Sequence, residues 1–241
     1  MIIGILQVGI APEELVDTYG SYAEMFVELL SNKDCDFGFQ TFNACDNDFP
    51  QSINECDGWI ITGSKHGVYE DLPWIVQLSD LIVEIYRVKQ PLVGICFGHQ
   101  IIAQALGGLV QNSEKGWGIG LDTYTINNKP DWMAMLSDKV RLNIIHQDQV
   151  IIPPRGAVVY ASSDFCENAG YYINNKVLTI QGHPEFLVEF TAEILALRSA
   201  LVIPKEVVDP ALSQLNRQGE DIDSQVFGAM ICCFFQSSFF D

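Results

Sequence analysis

The stretch Pro91-Leu-Val-Gly-Ile-Cys96-Phe-Gly-His-Gln100 constrains this chain more than any other. Leu92 to Ile95 is a short, wholly apolar run, as expected of a strand buried on both faces of a parallel sheet. A cysteine then stands between Gly94 and Gly98, the G-x-C-x-G spacing of a strand-turn-helix elbow that presents a nucleophile. The glycines have a steric reason: so sharp a turn presses backbone against neighbouring elements, where side chains would collide. Cys96 is therefore expected at the carboxyl end of the strand, facing the N-terminus of a helix that begins near Phe97. The free N–H groups and dipole there favour a thiolate and can hold an oxyanion. Taken alone, Cys96 also suits a small buried hydrophobe; the flanking glycines favour the nucleophile.

The rest of the chain supplies a sheet for this elbow. Apolar runs rich in β-branched residues alternate with helical stretches, the pattern of strands joined by crossover helices, so the fold class is α/β. Ile2 to Val8 reads as a buried strand, and Ser21 to Leu30 as a helix with Tyr22, Met25, Phe26 and Leu29 on one face. Asp36 to Phe42 and Trp59 to Thr62 read as strands, and Trp74, Leu78, Ile82 and Ile85 recur at helical spacing until Pro91. Shorter strands are expected at Val140–Ile145, Ala157–Ser162, Ala169–Ile173 and Val177–Gln181, with helices from Leu187 onward. A length of 241 residues with 48% hydrophobic content suits one domain over 1–241, with 204–241 a candidate helical appendage. The apolar run Val226 to Phe235 is too short to cross a bilayer and reads as a packed terminal helix.

Charge narrows the partners. Thirteen Lys and Arg against 31 Asp and Glu leave a net charge of −18, which disfavours nucleic acid and anionic membranes and points to small molecules or proteins. Seven cysteines without a C-x-x-C pair or metal-ligand spacing, and no signal-like N-terminus, lead to the expectation of a reducing cytoplasm and no bound metal. No phosphate-binding glycine fingerprint is present, and no cofactor is expected.

His183 follows the Val177 to Gln181 run and precedes Pro184, which biases its backbone to an extended conformation. Residues two apart in an extended segment share a side, so Glu185 can reach the imidazole and hold its tautomer. Cys96, His183 and Glu185 are the candidate nucleophile, base and orienting acid. Separately, His183 also fits a turn histidine without a chemical task, and Glu185 a solvated acid at a helix N-terminus.

GICFGHQ around Cys96 together with QGHPE around His183 resembles the class I glutamine amidotransferases, whose glutaminase domains carry a GxCxGxQ elbow and a late HPE segment. The resemblance runs from Ile2 to Phe190 and implies a flavodoxin-like, twisted, mostly parallel sheet flanked by helices, with the site at the strands' carboxyl ends. It implies an oxyanion hole from the backbone of Gly63, Ser64 and Phe97; the family's SGGP loop reads Thr62-Gly63-Ser64-Lys65 here, and a serine keeps the N–H. It also implies that Gln100 binds the substrate's α-amino or carboxylate end. His146 and Gln147, in Asn143-Ile-Ile-His-Gln-Asp148, resemble an HxD segment near the glutamine pocket, although His146 equally fits a satisfied strand-end histidine. Gly63 to Trp74 and Lys115-Gly-Trp-Gly-Ile-Gly120 are more similar to the free-standing branch that includes γ-glutamyl peptidases. Tyr69 and Trp74 would there form an apolar wall for a substrate's amine portion.

Three readings follow. The first is a self-sufficient hydrolase of glutamine or a γ-glutamyl compound, working through a γ-glutamyl thioester. The second is a glutaminase component that passes ammonia to a synthetase partner in trans, and the third a non-catalytic regulatory module. Homo-oligomerisation is compatible with each.

Overall fold

The computed structural model describes residues 1–31, 35–217 and 221–239. In chain order its first half holds β1 (Ile2–Leu6), α1 (Glu13–Tyr19), α2 (Tyr22–Ser31), β2 (Gly38–Phe42), β3 (Gly58–Ile61), α3 (Pro73–Arg87), β4 (Leu92–Ile95) and α4 (Phe97–Ala105). There follow β5 (Leu109–Asn112), β6 (Gly118–Ile126), β7 (Lys139–His146), β8 (Asp148–Ile152), β9 (Val158–Ser162), β10 (Gly170–Ile173) and β11 (Val177–Ile180). Three helices close the chain: α5 (Val188–Arg198), α6 (Lys205–Leu215) and α7 (Ser224–Phe239).

Strands without an exposed residue take the centre of the sheet. β3, β4 and β11 are buried at every position and lie side by side. The strand order is β2-β1-β3-β4-β11-β10-β9-β6-β7. Pairing is parallel from β2 to β11 and antiparallel from β11 to β7. The fold is thus α/β, a mixed sheet with a parallel half flanked by helices. β5 and β8 form a separate antiparallel pair, an element that the sequence pattern did not disclose.

Alternation along the parallel strands feeds two apolar layers. Ile3, Ile5, Ile60, Val93 and Ile95 face α2 and α7, where Phe26, Leu30, Phe227 and Phe234 pack. Leu6, Trp59, Ile61 and Leu92 face α3 and α4, where Leu78, Ile82, Ile101 and Ile102 pack. A third cluster joins α1, α5 and α6 through Leu15, Phe190, Ile194, Val208 and Leu215. The described part of 204–241 is therefore packed through α6 and α7, while 218–220 and 240–241 lie outside the described residues. α7 is also tied to the segment before β2 by a disulfide between Cys35 and Cys232, which the scattered cysteine spacing did not suggest. Among the described residues, no helix is long and apolar enough to cross a membrane.

Candidate active site

β4 delivers Cys96 to the carboxyl edge of the parallel strands, and α4 starts at the next residue. The turn between them is tight enough to force Cys96 to φ 52° and ψ −103°, a conformation that L-residues avoid. Two backbone bonds hold it there: Cys96 N donates to Ile180 O at 2.9 Å, and Cys96 O accepts from Gln100 N at 3.1 Å. The glycine spacing is explained by contact. A Cβ on Gly94 would lie 2.5 Å from Gly98 O, and a Cβ on Gly98 would collide with Ile61 O. Only bare backbone lets β3, β4 and α4 approach this closely.

His183 is brought to the thiol by an isolated bridge. Its N–H donates to Asn143 O at 2.8 Å, which fastens the segment after β11 to β7. Asn143 Nδ2 then donates to Phe186 O at 2.8 Å and fixes the turn containing Pro184 and Glu185. The result places His183 Nδ1 2.7 Å from Glu185 Oε1, with both side chains buried. Phe186 stacks flat on the imidazole, with centroids 4.1 Å apart and planes 3° from parallel. With Nδ1 committed to Glu185, the other ring nitrogen is left free for the Cys96 thiol, whose Sγ lies 3.9 Å from Ile145 O. Burial opposes protonation of this ring, but the Glu185 carboxylate and Cys96 outweigh it and raise the His183 pKa to about 10.

A small pocket opens over these groups, walled by Gly63, Ser64, Cys96, His183, Tyr22 and Arg198. A Cβ on Gly63 would sit 2.9 Å from His183 Cε1 and 3.7 Å from Cys96 Cβ, so this loop lies directly against the nucleophile. Phe97 is the first residue of α4, where backbone N–H groups have no intrahelical acceptor. Tyr22 and Arg198 were not singled out from the sequence. Tyr22 reads there as one more apolar position of α2, and Arg198 as a lone cation ending α5, beyond the segment that carries the family resemblance. The pocket continues into a groove of about 170 Å³ that shares Tyr22, Ser64 and Arg198 and adds Lys65, His66 and Trp74.

The residues expected to bind substrate gather elsewhere, around Asp148. Gln100 Nε2 donates to Asp148 O at 2.9 Å and to Gln181 Oε1 at 3.0 Å. His146 Nδ1 lies 3.1 Å from the same carbonyl, and Tyr69 OH donates to Asp148 Oδ1 at 3.1 Å. Gln147 O accepts from Ser113 N at 3.0 Å. None of the four is among the residues that wall the Cys96 pocket. Gln100 commits its amide to joining α4 to β8 and to the residue after β11, whereas Tyr69 is 58% exposed beside the pocket's loop. Burial lowers the His146 pKa to about 4 and keeps the ring neutral near pH 7. Among the described residues, no group of three or more His, Cys, Asp or Glu is arranged to hold a metal ion.

Residues 14–197 match the family described as glutamine amidotransferase class-I. The chain is 35% identical over 185 residues to gamma-glutamyl peptidase 4 of Arabidopsis thaliana, covering 74% of this chain and 73% of that protein. It is 32% identical over 134 residues to a glutamine-hydrolyzing GMP synthase subunit of Sulfurisphaera tokodaii, covering 55% of this chain and 69% of that one. Its fold matches a glutamine amidotransferase structure from Thermotoga maritima with a TM-score of 0.77, over 100% of this chain and 98% of the other, at 19% identity. With the family match running through both the Cys96 elbow and the His183 segment, the chain belongs to the class I glutamine amidotransferase family.

Proposed function

We propose that this protein hydrolyses the γ-amide bond of γ-glutamyl compounds, with Cys96 as nucleophile, His183 as acid and base, and Glu185 as the group that orients the imidazole. The Cys96 proton passes to His183, Sγ attacks the γ-carbonyl carbon, a C–S bond forms, and the carbonyl electron pair moves onto oxygen. In this reading the backbone N–H groups of Gly63, Ser64 and Phe97 hold that oxyanion. His183 gives its proton to the leaving nitrogen as the C–N bond breaks, which leaves a γ-glutamyl thioester on Cys96. Water, deprotonated by His183, then displaces Cys96 and releases glutamate. Asn143, Phe186 and Glu185 keep the imidazole in one orientation and tautomer throughout. An inert binding module would have no use for a cysteine held at positive φ beside a buried imidazole that a carboxylate orients.

The observation that carries a γ-glutamyl compound rather than free glutamine is the groove beyond the pocket. Ammonia needs no room, whereas this space lined by Lys65, His66, Trp74 and Arg198 accommodates an amine portion. Lys65 and Arg198 lie there with one carboxylate, Asp46, so the charged lining is net positive although the chain's net charge is −18, which suits a leaving group that carries a carboxylate. Likeness to gamma-glutamyl peptidase 4 of Arabidopsis supports the same reading. The likeness to a glutamine-hydrolyzing GMP synthase subunit supports a second one, in which a separate synthetase receives ammonia. Incubating the pure chain with glutamine and a panel of γ-glutamyl dipeptides and alkylamides, with assay of glutamate, separates the two. Cleavage of γ-glutamyl dipeptides without ATP or another protein is expected to exceed that of glutamine. Turnover of glutamine alone, and only after a partner is added, would favour the synthetase-linked reading.

A further inference from the structure

Glu185 turns one oxygen to His183 and keeps the other apart. Oε1 is bound to the imidazole, while Oε2 is buried without a hydrogen-bond partner among the described residues. The residue also walls a second cavity, of about 230 Å³, that is lined by neither Cys96 nor His183. This cavity lies between α1, α2, the Pro184 to Phe190 segment and the start of α7. Ser224, in the first turn of α7, lines it too, and its Oγ is a second buried acceptor with no partner among the described residues. Met25, Leu29, Phe186 and Phe190 supply apolar wall. Among the described residues the lining includes two carboxylates, Glu185 and Glu28, and no Lys, Arg or His.

A buried carboxylate oxygen without a donor is costly, and an occupant that brings N–H donors removes the cost. An anion finds no cation among the lining residues. The volume falls below the roughly 300–1,000 Å³ of sites for drug-sized ligands, which limits the occupant to a small molecule. We propose that this cavity binds a small organic amine, whose ammonium donates to Glu185 Oε2 and Ser224 Oγ while its apolar body lies against Met25, Leu29 and Phe190. Occupancy sets a cation against the carboxylate that orients His183, so the bound amine lowers turnover. That second step rests on the proposed role of Glu185; the binding itself does not.

Calorimetric titration of the full Cys96→Ala chain with 2-phenylethylammonium chloride tests the site without any turnover, with 3-phenylpropionate as the anionic control. Saturable binding of the amine and none of the carboxylate is expected. Thr18→Trp, a substitution at the exposed rim of the cavity, should weaken Kd at least tenfold, and Ser224→Ala severalfold. In the wild-type enzyme the amine should reduce kcat at unchanged KM, because the cavity lies behind Glu185 rather than in the Cys96 pocket. Absence of saturable heat, equal binding of the carboxylate, or an unchanged Kd in both variants overturns the site. Binding without any change in kcat overturns the coupling. A wild-type chain that cleaves no γ-glutamyl compound would sink the proposed function and leave the binding result standing.

Discussion

Among single residues, Cys96 holds its position at the expense of a strained backbone, since a non-glycine φ of 52° costs on the order of 1–3 kcal/mol. That backbone holds the buried Cys96 in the small pocket that His183 also walls. Cys96→Ala is expected to lower kcat by about 10⁴ to 10⁶ with the fold retained, and His183→Ala to be comparably severe. Glu185→Gln should retain more rate, because an amide still positions the ring. Steady-state rates alongside circular dichroism measure this, and near-wild-type turnover of Cys96→Ala contradicts it. A second expectation concerns pH. The His183 pKa rises from 6.5 to about 10, because Glu185 and Cys96 together outweigh the burial that opposes charge. The stability it contributes is complete below the unfolded value of 6.5 and is lost as pH rises through about 10. Glu185→Gln removes the chief stabilising charge, so urea midpoints should fall less steeply from neutral to alkaline pH in that variant than in the wild type. Parallel curves would show that this pair does not govern the alkaline limb.

Among elements, the elbow is the point where three of them meet at minimum distance. β3 lies behind Gly98, β4 ends at Cys96, and α4 packs its first seven residues away from solvent. Gly98→Ala forces a methyl group against Ile61 O and should destabilise the chain by about 1–3 kcal/mol or more. Gly38→Ala is the matched control: a Cβ there meets only Ile2 Cγ1 at 3.9 Å, on a parallel edge strand. Its effect should stay within about 0.5 kcal/mol. Denaturant midpoints for the two variants give the comparison, and equal losses would mean that the elbow's glycines are not chosen for contact.

For the whole molecule, the last helix belongs to the structural core of the catalytic unit. Phe227, Met230, Ile231, Phe234 and Phe235 of α7 are fully buried, and they share one apolar layer with β1, β3, β4 and α2. Its first turn also closes the cavity behind Glu185, so the site is built on a helix far along the chain from the elbow. Phe234 packs edge-on against Trp132 with ring centroids 5.2 Å apart. Phe234→Ala should cost about 3–5 kcal/mol and lower activity only through the folded fraction. A denaturation curve near that of the wild type would mean that α7 is attached rather than integral.

Local, covalently encoded features are legible in the chain without coordinates. The apolar runs of β4 and β11, the glycines around Cys96, and the two-residue step from His183 to Glu185 each carry their geometry within a few bonds, and from them follow the central strands and the Cys96, His183 and Glu185 grouping. Tertiary packing decided the rest. β5, β8 and the long β6 mix polar with apolar positions and gain strand identity only from their partners. Gln100, His146 and Tyr69 converge on Asp148 because β8 runs beside α4, a proximity that no spacing in the chain records. Arg198 and Tyr22 reach the Cys96 pocket from opposite ends of the chain, and Cys35 meets Cys232 across 197 residues. The physical reason is the same in each case: such contacts are chosen by burial and packing between elements distant in sequence, and a one-dimensional pattern carries the propensity of each element but not its neighbour.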